Sequence, residues 1–557
     1  RRRRLSLLLL FLIITLFAVF GLFVFGLSSI DPATRRNNEA PDILAFSNPT
    51  VQEIGDGANS TGVQRCATVE KMGEVFSGGY LEETIRVRKI IQAHFSRNGA
   101  SAVREFNSQR FCNHGFVLGK ASEAGLGNEL YKILTAAALS VMLNRSLIIG
   151  QTRHIGFFSQ ALGSYPFGDY IYYSNVTFTL KEVKHLWRKN GCFTKYGRHL
   201  TMRIDDFLNP SQTNVLCSNW REWEQPIIWL QNTTDAVAAQ FFLKNLHSAM
   251  RESASDLFGR PEELGYRSNV FGELMRILIS PSREVDSAVN WALNGGKDPD
   301  IALHMRMMMN RSPSAKRAAV ECTRRTLGNL GLESKPRVVI VSDTPAVLGD
   351  LAADLDDIAE VVHFDYEGYG GNISGNWKNT SRVNFRIKDW GPAPRWVAFV
   401  DFFLAARAKH AIISGAHRRV GTTYAQLIAA LAASYRLVGT DEKESKMMLF
   451  MSSFQRNLVW EGLNKQIGWG HVWNRYGGPL SCHNQPNQCA VSPLLPPGWW
   501  DGLWQSPIPR DVHRMEAYGV KLHSHSHSHS PPCAVDEQHL IHFCSWRKRR
   551  VISVNLI

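Results

Sequence analysis

The sequence predicts an α/β protein with parallel sheets, preceded by an apolar segment. From Asp300 onward, short apolar runs alternate with helix-length segments, as in doubly wound sheets. A second strand–loop–helix–strand unit spans Phe116 to Gly150, and its helix is apolar almost all round, which predicts burial. About 520 residues follow the apolar segment, which is too many for one core, so two domains are expected.

The amino end favours a membrane anchor. Arg1 to Arg4 precede an uncharged apolar run from Leu5 to Ile30, and about 20 such residues cross a bilayer as a helix. A cleavable signal peptide is the alternative, but its apolar core is shorter, about 7–15 residues. Because the arginines should stay cytosolic, we expect a single-pass type II protein whose bulk lies in a lumen.

In the amino-terminal half, a helical pattern covers 70–106, and Phe116 to Leu118 form a candidate strand. A helix over 129–143 and a strand over 146–150 follow. The segment from 152 to 283 is mixed and rich in Trp and Phe, so we expect further helices and insertions there.

The carboxyl-terminal half alternates more cleanly. Its predicted strands are Ile301–Arg306, Arg337–Ser342, Val361–Phe364 and His410–Ser414, and its predicted helices are Ser314–Leu330, one after Pro345, Trp396–Ala408 and Gly421–Ser434. Ligands of such sheets lie at the carboxyl ends of the strands.

The chain therefore divides into six parts. These are a cytosolic tail (1–4), a transmembrane signal-anchor (5–30), a polar stem (31–69), an amino-terminal Rossmann-like domain (70–299), a carboxyl-terminal Rossmann-like domain (300–441) and an extension rich in Cys, Trp and His (442–557).

The nine cysteines and the glycosylation signals fit a lumenal protein. No cysteines have the spacing of a zinc site, and some should form disulfides whose pairing is not readable from sequence. Cys482 and Cys489 could close a short loop. Among the Asn-x-Ser/Thr triplets, Asn59 and Asn232 are better candidates for glycosylation than Asn144, which adjoins core elements.

The net charge of +14 suits a polyanionic ligand or an acidic surface. No basic stripe is interleaved with aromatic residues, so a nucleic acid is not the expected partner. The alternating Ser-His tract from His523 to His529 could bind metal, although a flexible low-complexity tail is the simpler interpretation. The basic run Arg547 to Arg550 favours a solvated surface.

Two loops offer small residues at helix amino ends, where anions bind. The first contains Gly125, Gly127 and Asn128, and Asn128 could equally be a helix N-cap. The second brackets its helix start with polar or charged side chains that can bind phosphate, although helix capping explains the hydroxyls as well: Ser414, Arg418, Arg419, Thr422 and Thr423.

Between the loops, His304 and Arg306 end an apolar strand. A guanidinium presents a fixed fork of donors that suits phosphate, so Arg306 is the candidate for stabilising charge on a leaving phosphate. A structural ion pair is the alternative role. His304 either positions Arg306 or touches the nucleotide, and a satisfied core histidine is its alternative.

Carboxylates supply the remaining candidates. Asp343 follows a strand and could bind a nucleobase or ribose, or cap the next helix. Glu123 precedes the first loop and could take the proton of an acceptor hydroxyl, or be a solvated side chain. Two Asp-x-Asp pairs, Asp298/Asp300 and Asp354/Asp356, precede a strand or lie in a helix, so no metal site is expected.

These motifs together resemble the inverting GDP-fucose fucosyltransferases, the group of α1,6-fucosyltransferases, nodulation fucosyltransferases and protein O-fucosyltransferases. The resemblance is carried by Gly125-Leu126-Gly127-Asn128, by His304-Met305-Arg306, and by the stretch from Asp401-Phe402-Phe403-Leu404 to Tyr424. Val338 to Thr344 resembles the group's intermediate strand. The match covers about Phe116 to Val438 patchily.

The resemblance implies a GT-B-like fold, GDP-fucose as donor in the cleft between two domains, inversion at the sugar, and no metal or other cofactor. It gives Arg306 the leaving-group role and Glu123 that of the base. The carboxyl-terminal domain would then bind the nucleotide sugar. A glycan or glycoprotein acceptor, and an anchor in the Golgi membrane, complete the expectation.

The sequence departs from the group at Met307-Met308-Met309, where polar or acidic residues are usual, and at Ala416-His417-Arg418-Arg419. Two alternatives therefore stay open. One is a transferase of the same fold that uses another sugar nucleotide. The other is a non-catalytic lumenal protein that binds glycans.

Overall fold

The chain forms two compact units, Arg1–Val63 and Gln64–Ile557. The computed structural model describes, all within the second unit, residues 80–121, 125–151, 165, 167–207, 209, 215–234, 241–260, 268–307, 313–332, 335–344, 347–371, 373, 393–394, 396–414, 423–437, 448–455, 487–491, 494, 516–523, 534–547 and 549–556. The predicted tail, anchor and stem lie outside these residues. Within them, no helix combines the length and the apolar character needed to span a bilayer.

The helices have these bounds: α1 Tyr80–Asn98, α2 Ala100–Val103, α3 Ser108–Asn113, α4 Leu126–Leu143, α5 Leu180–Lys189, α6 Cys192–Tyr196, α7 Ser248–Phe258, α8 Val270–Leu278, α9 Arg283–Leu293, α10 Pro313–Leu330, α11 Leu348–Leu355, α12 Val397–Ala406, α13 Thr423–Arg436 and α14 Glu537–Ser545. Short 3-10 turns cover Trp220–Glu222 and Phe241–Lys244.

The strands have these bounds: β1 Phe116–Ala121, β2 Ser146–Gln151, β3 Ile171–Tyr173, β4 Phe178–Thr179, β5 Thr201–Asp206, β6 Ile227–Gln231, β7 Ile279–Pro281, β8 Ile301–Met305, β9 Arg337–Ser342, β10 Glu360–Val362, β11 His410–Ser414, β12 Phe450–Gln455, β13 Asn487–Val491, β14 Leu522–His523, β15 Ala534–Val535 and β16 Arg550–Ser553.

Twelve of these strands form two six-stranded sheets that confirm the predicted α/β fold with parallel sheets, and β3-β7 and β14-β15 form two small two-stranded sheets. The first sheet has the order β16-β5-β6-β1-β2-β4, and only β16 is antiparallel to its neighbour among its described pairs. The second has the order β10-β9-β8-β11-β12-β13, with β13 as its antiparallel member. Long apolar helices cover these sheets, as continuous parallel strands require.

A core of buried side chains lies among α4, α8, α12 and α13, and includes Leu130, Leu274, Phe399 and Leu427. Helix α8 comes so close to α13 that a Cβ added at Gly272 would collide with the carbonyl oxygen of Ala430. This close approach fixes α8 and α13 against each other.

The region from 152 to 283 contains more sheet than predicted. It supplies β5 and β6 to the centre of the first sheet. Strand β5 contains three buried polar residues, Arg203, Asp205 and Asp206. These residues interrupt the apolar pattern by which a buried strand is recognised in a sequence.

The extension 442–557 supplies β12 and β13 to the second sheet and β16 to the first.

Two of the three described disulfides tie the extension to the rest of the chain. Cys112 pairs with Cys192, Cys217 with Cys544, and Cys322 with Cys489. The suggested loop between Cys482 and Cys489 is therefore wrong, because Cys489 lies next to Cys322 in space. The other three cysteines, Cys66, Cys482 and Cys533, lie outside the described residues.

The glycosylation signals differ in accessibility from the expectation. Asn144 is exposed at the end of α4. The side-chain amide of Asn232 donates a hydrogen bond of 2.7 Å to Asp206 Oδ1 and is half-buried. Asn59 lies outside the described residues.

Candidate active site

Three predicted site residues lie at the carboxyl ends of adjacent strands. In the second sheet β8 lies between β9 and β11, and the three strands run parallel. Arg306 follows β8, Asp343 follows β9, and Ser414 ends β11. The parallel arrangement therefore brings these side chains together, as the position of each after an apolar run predicts.

Arg306 is held from both neighbouring strands. Its backbone N–H donates a hydrogen bond of 3.0 Å to Ser414 Oγ, and its guanidinium Nη1 lies 3.0 Å from Asp343 Oδ2. The side chain is still 29% exposed, whereas that of Asp343 is 6% exposed. The guanidinium thus has a fixed position and a face that a ligand can reach.

Asp343 also stabilises the backbone that follows β8, next to Arg306. Its Oδ1 accepts a hydrogen bond of 2.7 Å from the backbone N–H of Met307. The neighbouring Ser342 hydroxyl donates to the carbonyl of Met305 at 3.0 Å. The contacts of Asp343 are therefore those of a residue that positions Arg306, and its predicted contact with a nucleobase or ribose stays a prediction.

Met307 belongs to the hydrophobic core. Its side chain is 4% exposed and packs in the cluster between the second sheet and α10 and α11. The unusual methionine that follows Arg306 is therefore explained by packing. The other two methionines of this departure, Met308 and Met309, lie outside the described residues.

The first glycine loop contacts the start of α13. Asn128 Oδ1 accepts a hydrogen bond of 2.8 Å from Thr423 Oγ1. A Cβ added at Gly127 would lie 2.5 Å from the backbone nitrogen of Tyr424 and 2.8 Å from Thr423 Oγ1, whereas one at Gly125 would meet no atom of the described residues within 4 Å. Gly127 is thus required for the close approach.

A buried cluster lies beneath this contact. The ring of His304 lies 5.6 Å from that of Tyr424, whose hydroxyl donates a hydrogen bond of 2.6 Å to the carbonyl of Ala398. Burial, reinforced by the positive charge of Arg306, lowers the pKa of His304 to about 3. The imidazole is therefore neutral at physiological pH, and its Nδ1 has no hydrogen-bond partner in the part of the chain that is described.

Asp401 and Tyr424 were assigned no role from the sequence, although both lie in motifs that carry the resemblance. Burial raises the pKa of the Asp401 carboxyl well above its usual range. Burial, followed by the nearby Asp401 carboxyl, also raises the pKa of Tyr424. In the sequence, Asp401 is recognisable as the single acidic residue of the apolar helix α12. Burying a carboxyl group costs free energy, so such a residue is a candidate for a functional role.

Four predicted site residues lie outside the described residues: Glu123, Arg418, Arg419 and Thr422. Their proposed roles in proton transfer and phosphate binding stay predictions.

The Asp-x-Asp pairs lie elsewhere. Asp298 pairs with Arg407 and Asp300 with Lys409 at the amino end of β8, and Asp354 pairs with Lys316 on the outside of α11. Among the described residues, no group of three or more His, Cys, Asp or Glu side chains is placed to hold a metal ion.

Chemically, the arrangement is suited to an anion. A fixed guanidinium, that of Arg306, lies at the carboxyl edge of the second sheet. The amino end of α4 approaches the start of α13, where Tyr424 packs on His304. Backbone amides at a helix amino end and a preorganised guanidinium are both typical partners of phosphate groups.

Solved structures similar to this chain share little sequence with it. A mutant of Arabidopsis thaliana FUT1 in complex with GDP is 11% identical, with 67% of this chain and 84% of that chain covered and a TM-score of 0.38. The fucosyltransferase NodZ from Bradyrhizobium is 12% identical, with 57% and 92% covered and a TM-score of 0.32. POFUT1 in complex with GDP-fucose is 12% identical, with 61% and 98% covered and a TM-score of 0.33.

These solved structures are of the class that the motifs resemble. No curated protein matches the sequence. The model of a family of unknown function, DUF7810, matches residues 61–556, which is most of the chain. The chain therefore belongs to the family of unknown function DUF7810.

Proposed function

We propose that this chain is a glycosyltransferase that transfers fucose from GDP-fucose to a glycan or glycoprotein acceptor with inversion. One observation carries the proposal: Arg306 is fixed between Ser414 and Asp343 at the carboxyl ends of three adjacent strands. The contact between Asn128 and Thr423 brings the glycine loop of the first sheet to the same region. The identity of the donor rests on the motif resemblance.

In this mechanism Arg306 binds the diphosphate and stabilises the negative charge that grows on it as the bond to the sugar breaks. A guanidinium held in place before the reaction needs no reorganisation, which is why such groups lower barriers strongly. The amides at the start of α4 hold the diphosphate from the other side.

The acceptor hydroxyl attacks the sugar from the face opposite the leaving diphosphate, which inverts the anomeric centre. Glu123 accepts the proton of that hydroxyl in this proposal. His304 acts as a neutral positioning group, because its lowered pKa excludes a cationic role at neutral pH. The chemistry needs no metal, since Arg306 supplies the positive charge.

We also propose a Golgi location with the catalytic part in the lumen. The uncharged run from Leu5 to Ile30 after four arginines supports an anchor of type II topology. The three disulfides support an oxidising compartment.

The decisive experiment measures GDP release from GDP-fucose by the full chain, with and without a chelator, in the presence of a glycan array. Turnover should survive chelation, and Arg306→Ala should reduce it about a hundredfold or more, as for a lost charge-stabilising group. Arg317→Ala, at an exposed position on α10, is the matched control and should keep full turnover.

Other outcomes separate the alternatives. A thermal shift with a different sugar nucleotide, and none with GDP-fucose, would assign another donor. Glycan binding without turnover of any sugar nucleotide would make the chain a binding protein of the same fold.

A further inference from the structure

The carboxyl edge of the first sheet continues beyond the glycine loop. Strand β16 is antiparallel to β5, with Arg550 opposite Ile204 and Ser553 opposite Thr201. The start of β16 therefore lies at the carboxyl ends of the parallel strands. The order β16-β5-β6-β1 separates it from β1 by three strand spacings, about 14 Å at about 4.8 Å each.

The residues before and at the start of β16 are exposed, aromatic and cationic. Trp546 is 77% exposed, the highest value among the large apolar side chains described. Arg549 and Arg550 are exposed, and neither has an ion-pair partner in the described parts of the chain. No Asp or Glu occurs after Glu537. We refer to Trp546, Arg549 and Arg550 as the Trp546 edge.

The Trp546 edge is supported from beneath. The guanidinium of Arg547 lies over the ring of Phe543, 3.4 Å from its centroid, and Cys544 is bonded to Cys217. The disulfide holds the end of α14 against the turn that contains Cys217. The exposed indole is thus presented by an anchored segment.

A second pair of a cation and an aromatic ring lies between this edge and the glycine loop. Lys120, the penultimate residue of β1, places its Nζ 4.6 Å from the ring centroid of Trp229 in β6. Burial lowers the pKa of Lys120, and no described residue accepts a hydrogen bond from its amino group. Two carboxylates end β5: Asp205 is buried, and Asp206 accepts hydrogen bonds from the amides of Asn209 and Asn232.

We propose that the Trp546 edge is an acceptor subsite for an acidic polysaccharide, which runs along the carboxyl edge of the first sheet towards the glycine loop. The apolar face of one sugar ring packs on the indole of Trp546. Carboxylates of neighbouring sugar units pair with Arg549 and Arg550, whose forked donors match them. The inference rests on the proposed function, which puts the donor at the other end of this edge.

An acidic glycan fits this surface better than a simple anion does. A phosphate would use the guanidiniums and leave the indole without a partner, whereas a uronic acid polymer has an apolar ring face and a carboxylate in every unit. The Trp546 edge lies on the same sheet edge as the glycine loop. This position favours an acceptor as the ligand, because the growing chain must reach the donor.

The test measures binding of the full chain to oligogalacturonate and to its methyl ester, which has the same backbone without charge. The acidic form should bind at least about tenfold more tightly, and added salt should weaken it. The double variant Arg549→Gln/Arg550→Gln should lose about tenfold in affinity. Trp546→Ala should lose about fivefold through the stacked ring.

Matched controls are Arg283→Gln/Arg317→Gln, which removes two exposed cations elsewhere, and a polyphosphate of similar length. The control variant should bind oligogalacturonate as the parent does. The affinity for polyphosphate should be the same in Trp546→Ala as in the parent. Equal loss of both ligands in that variant, or equal binding of acid and ester, would overturn the proposal.

A thermal-shift measurement of GDP binding distinguishes failure of the proposed function from failure of the proposed acceptor subsite. Failure to bind GDP would reject the proposed function itself. Normal GDP binding and turnover of GDP-fucose, without preference for the acidic glycan, would reject the Trp546 edge alone.

Discussion

The hydroxyl of Thr423 donates a hydrogen bond of 2.8 Å to Asn128 Oδ1, across 295 positions of the sequence. This bond joins the first turn of α13 to the first turn of α4. Each helix follows a strand of a different sheet. The two halves of the proposed donor site are therefore fixed to each other by side chains of the site itself.

Thr423→Val removes this hydrogen bond at nearly constant volume. We expect the affinity for GDP to fall about fivefold, since one hydrogen bond contributes about 1 kcal/mol. Calorimetric titration with GDP provides the measurement. Thr326→Val is the control, because Thr326 also donates one hydrogen bond, to the carbonyl of Cys322 at 2.8 Å, but lies on α10. Equal GDP affinity in Thr423→Val and the parent would show that the bond does not organise the site.

Gly127 and Gly125 offer a paired test of the close approach between α4 and α13. A methyl group at Gly127 meets the backbone of Tyr424, which cannot move as a flexible side chain can, whereas one at Gly125 meets no atom in the described part of the chain. Gly127→Ala should lower the free energy of unfolding by about 1–3 kcal/mol, and Gly125→Ala should change it by less than about 0.5 kcal/mol. Denaturant titrations of both variants measure the difference, and similar values for the two would contradict the packing.

The sequence predicted the elements whose apolar runs are continuous. Strands β9 and β11 have the predicted bounds, Arg337–Ser342 and His410–Ser414, because buried parallel strands are uniformly apolar and end at polar residues. Strand β5 was missed, since Arg203 and Asp205 break its pattern although both are buried.

Part of the candidate site follows from the rule that ligands of parallel sheets lie at the carboxyl ends of the strands. That rule places Arg306, Asp343 and Ser414 at one edge of a sheet without any knowledge of contacts. The pairing of Arg306 with Asp343 and the contact of Thr423 with Asn128 depend on rotamers and on how two sheets meet. No local pattern encodes either of these, just as none encodes the bond between Cys322 and Cys489.

Asp343→Asn should separate binding from turnover. The variant keeps an oxygen for the backbone N–H of Met307 but removes the negative charge 3.0 Å from Arg306. GDP should bind more tightly, because one carboxylate no longer competes with the diphosphate for the guanidinium. Turnover should fall about tenfold or more, since the guanidinium is no longer fixed. Weaker GDP binding would assign Asp343 a direct contact with the nucleotide, as the sequence alone had suggested.

Two buried histidines predict loss of stability in acid. Burial lowers the pKa of His94 to about 4 and, with the charge of Arg306, that of His304 to about 3, from an ordinary value of 6.5. As the pH falls below 6.5, the unfolded chain binds a proton at each ring and the folded chain does not. The free energy of unfolding should therefore fall by about 1.4 kcal/mol per pH unit for each histidine, down to the folded pKa values.

Denaturant titrations between about pH 7 and pH 5 measure this slope. His304→Gln and His94→Gln should each reduce it by the equivalent of one proton, because glutamine does not titrate. An unchanged slope would mean that the imidazole is protonated in the folded chain. The two variants share this effect on stability but differ in position: His304 adjoins Arg306, whereas His94 lies on α1. Only His304→Gln should therefore also change the turnover of GDP-fucose, which distinguishes a positioning role for His304 from a contribution to stability alone.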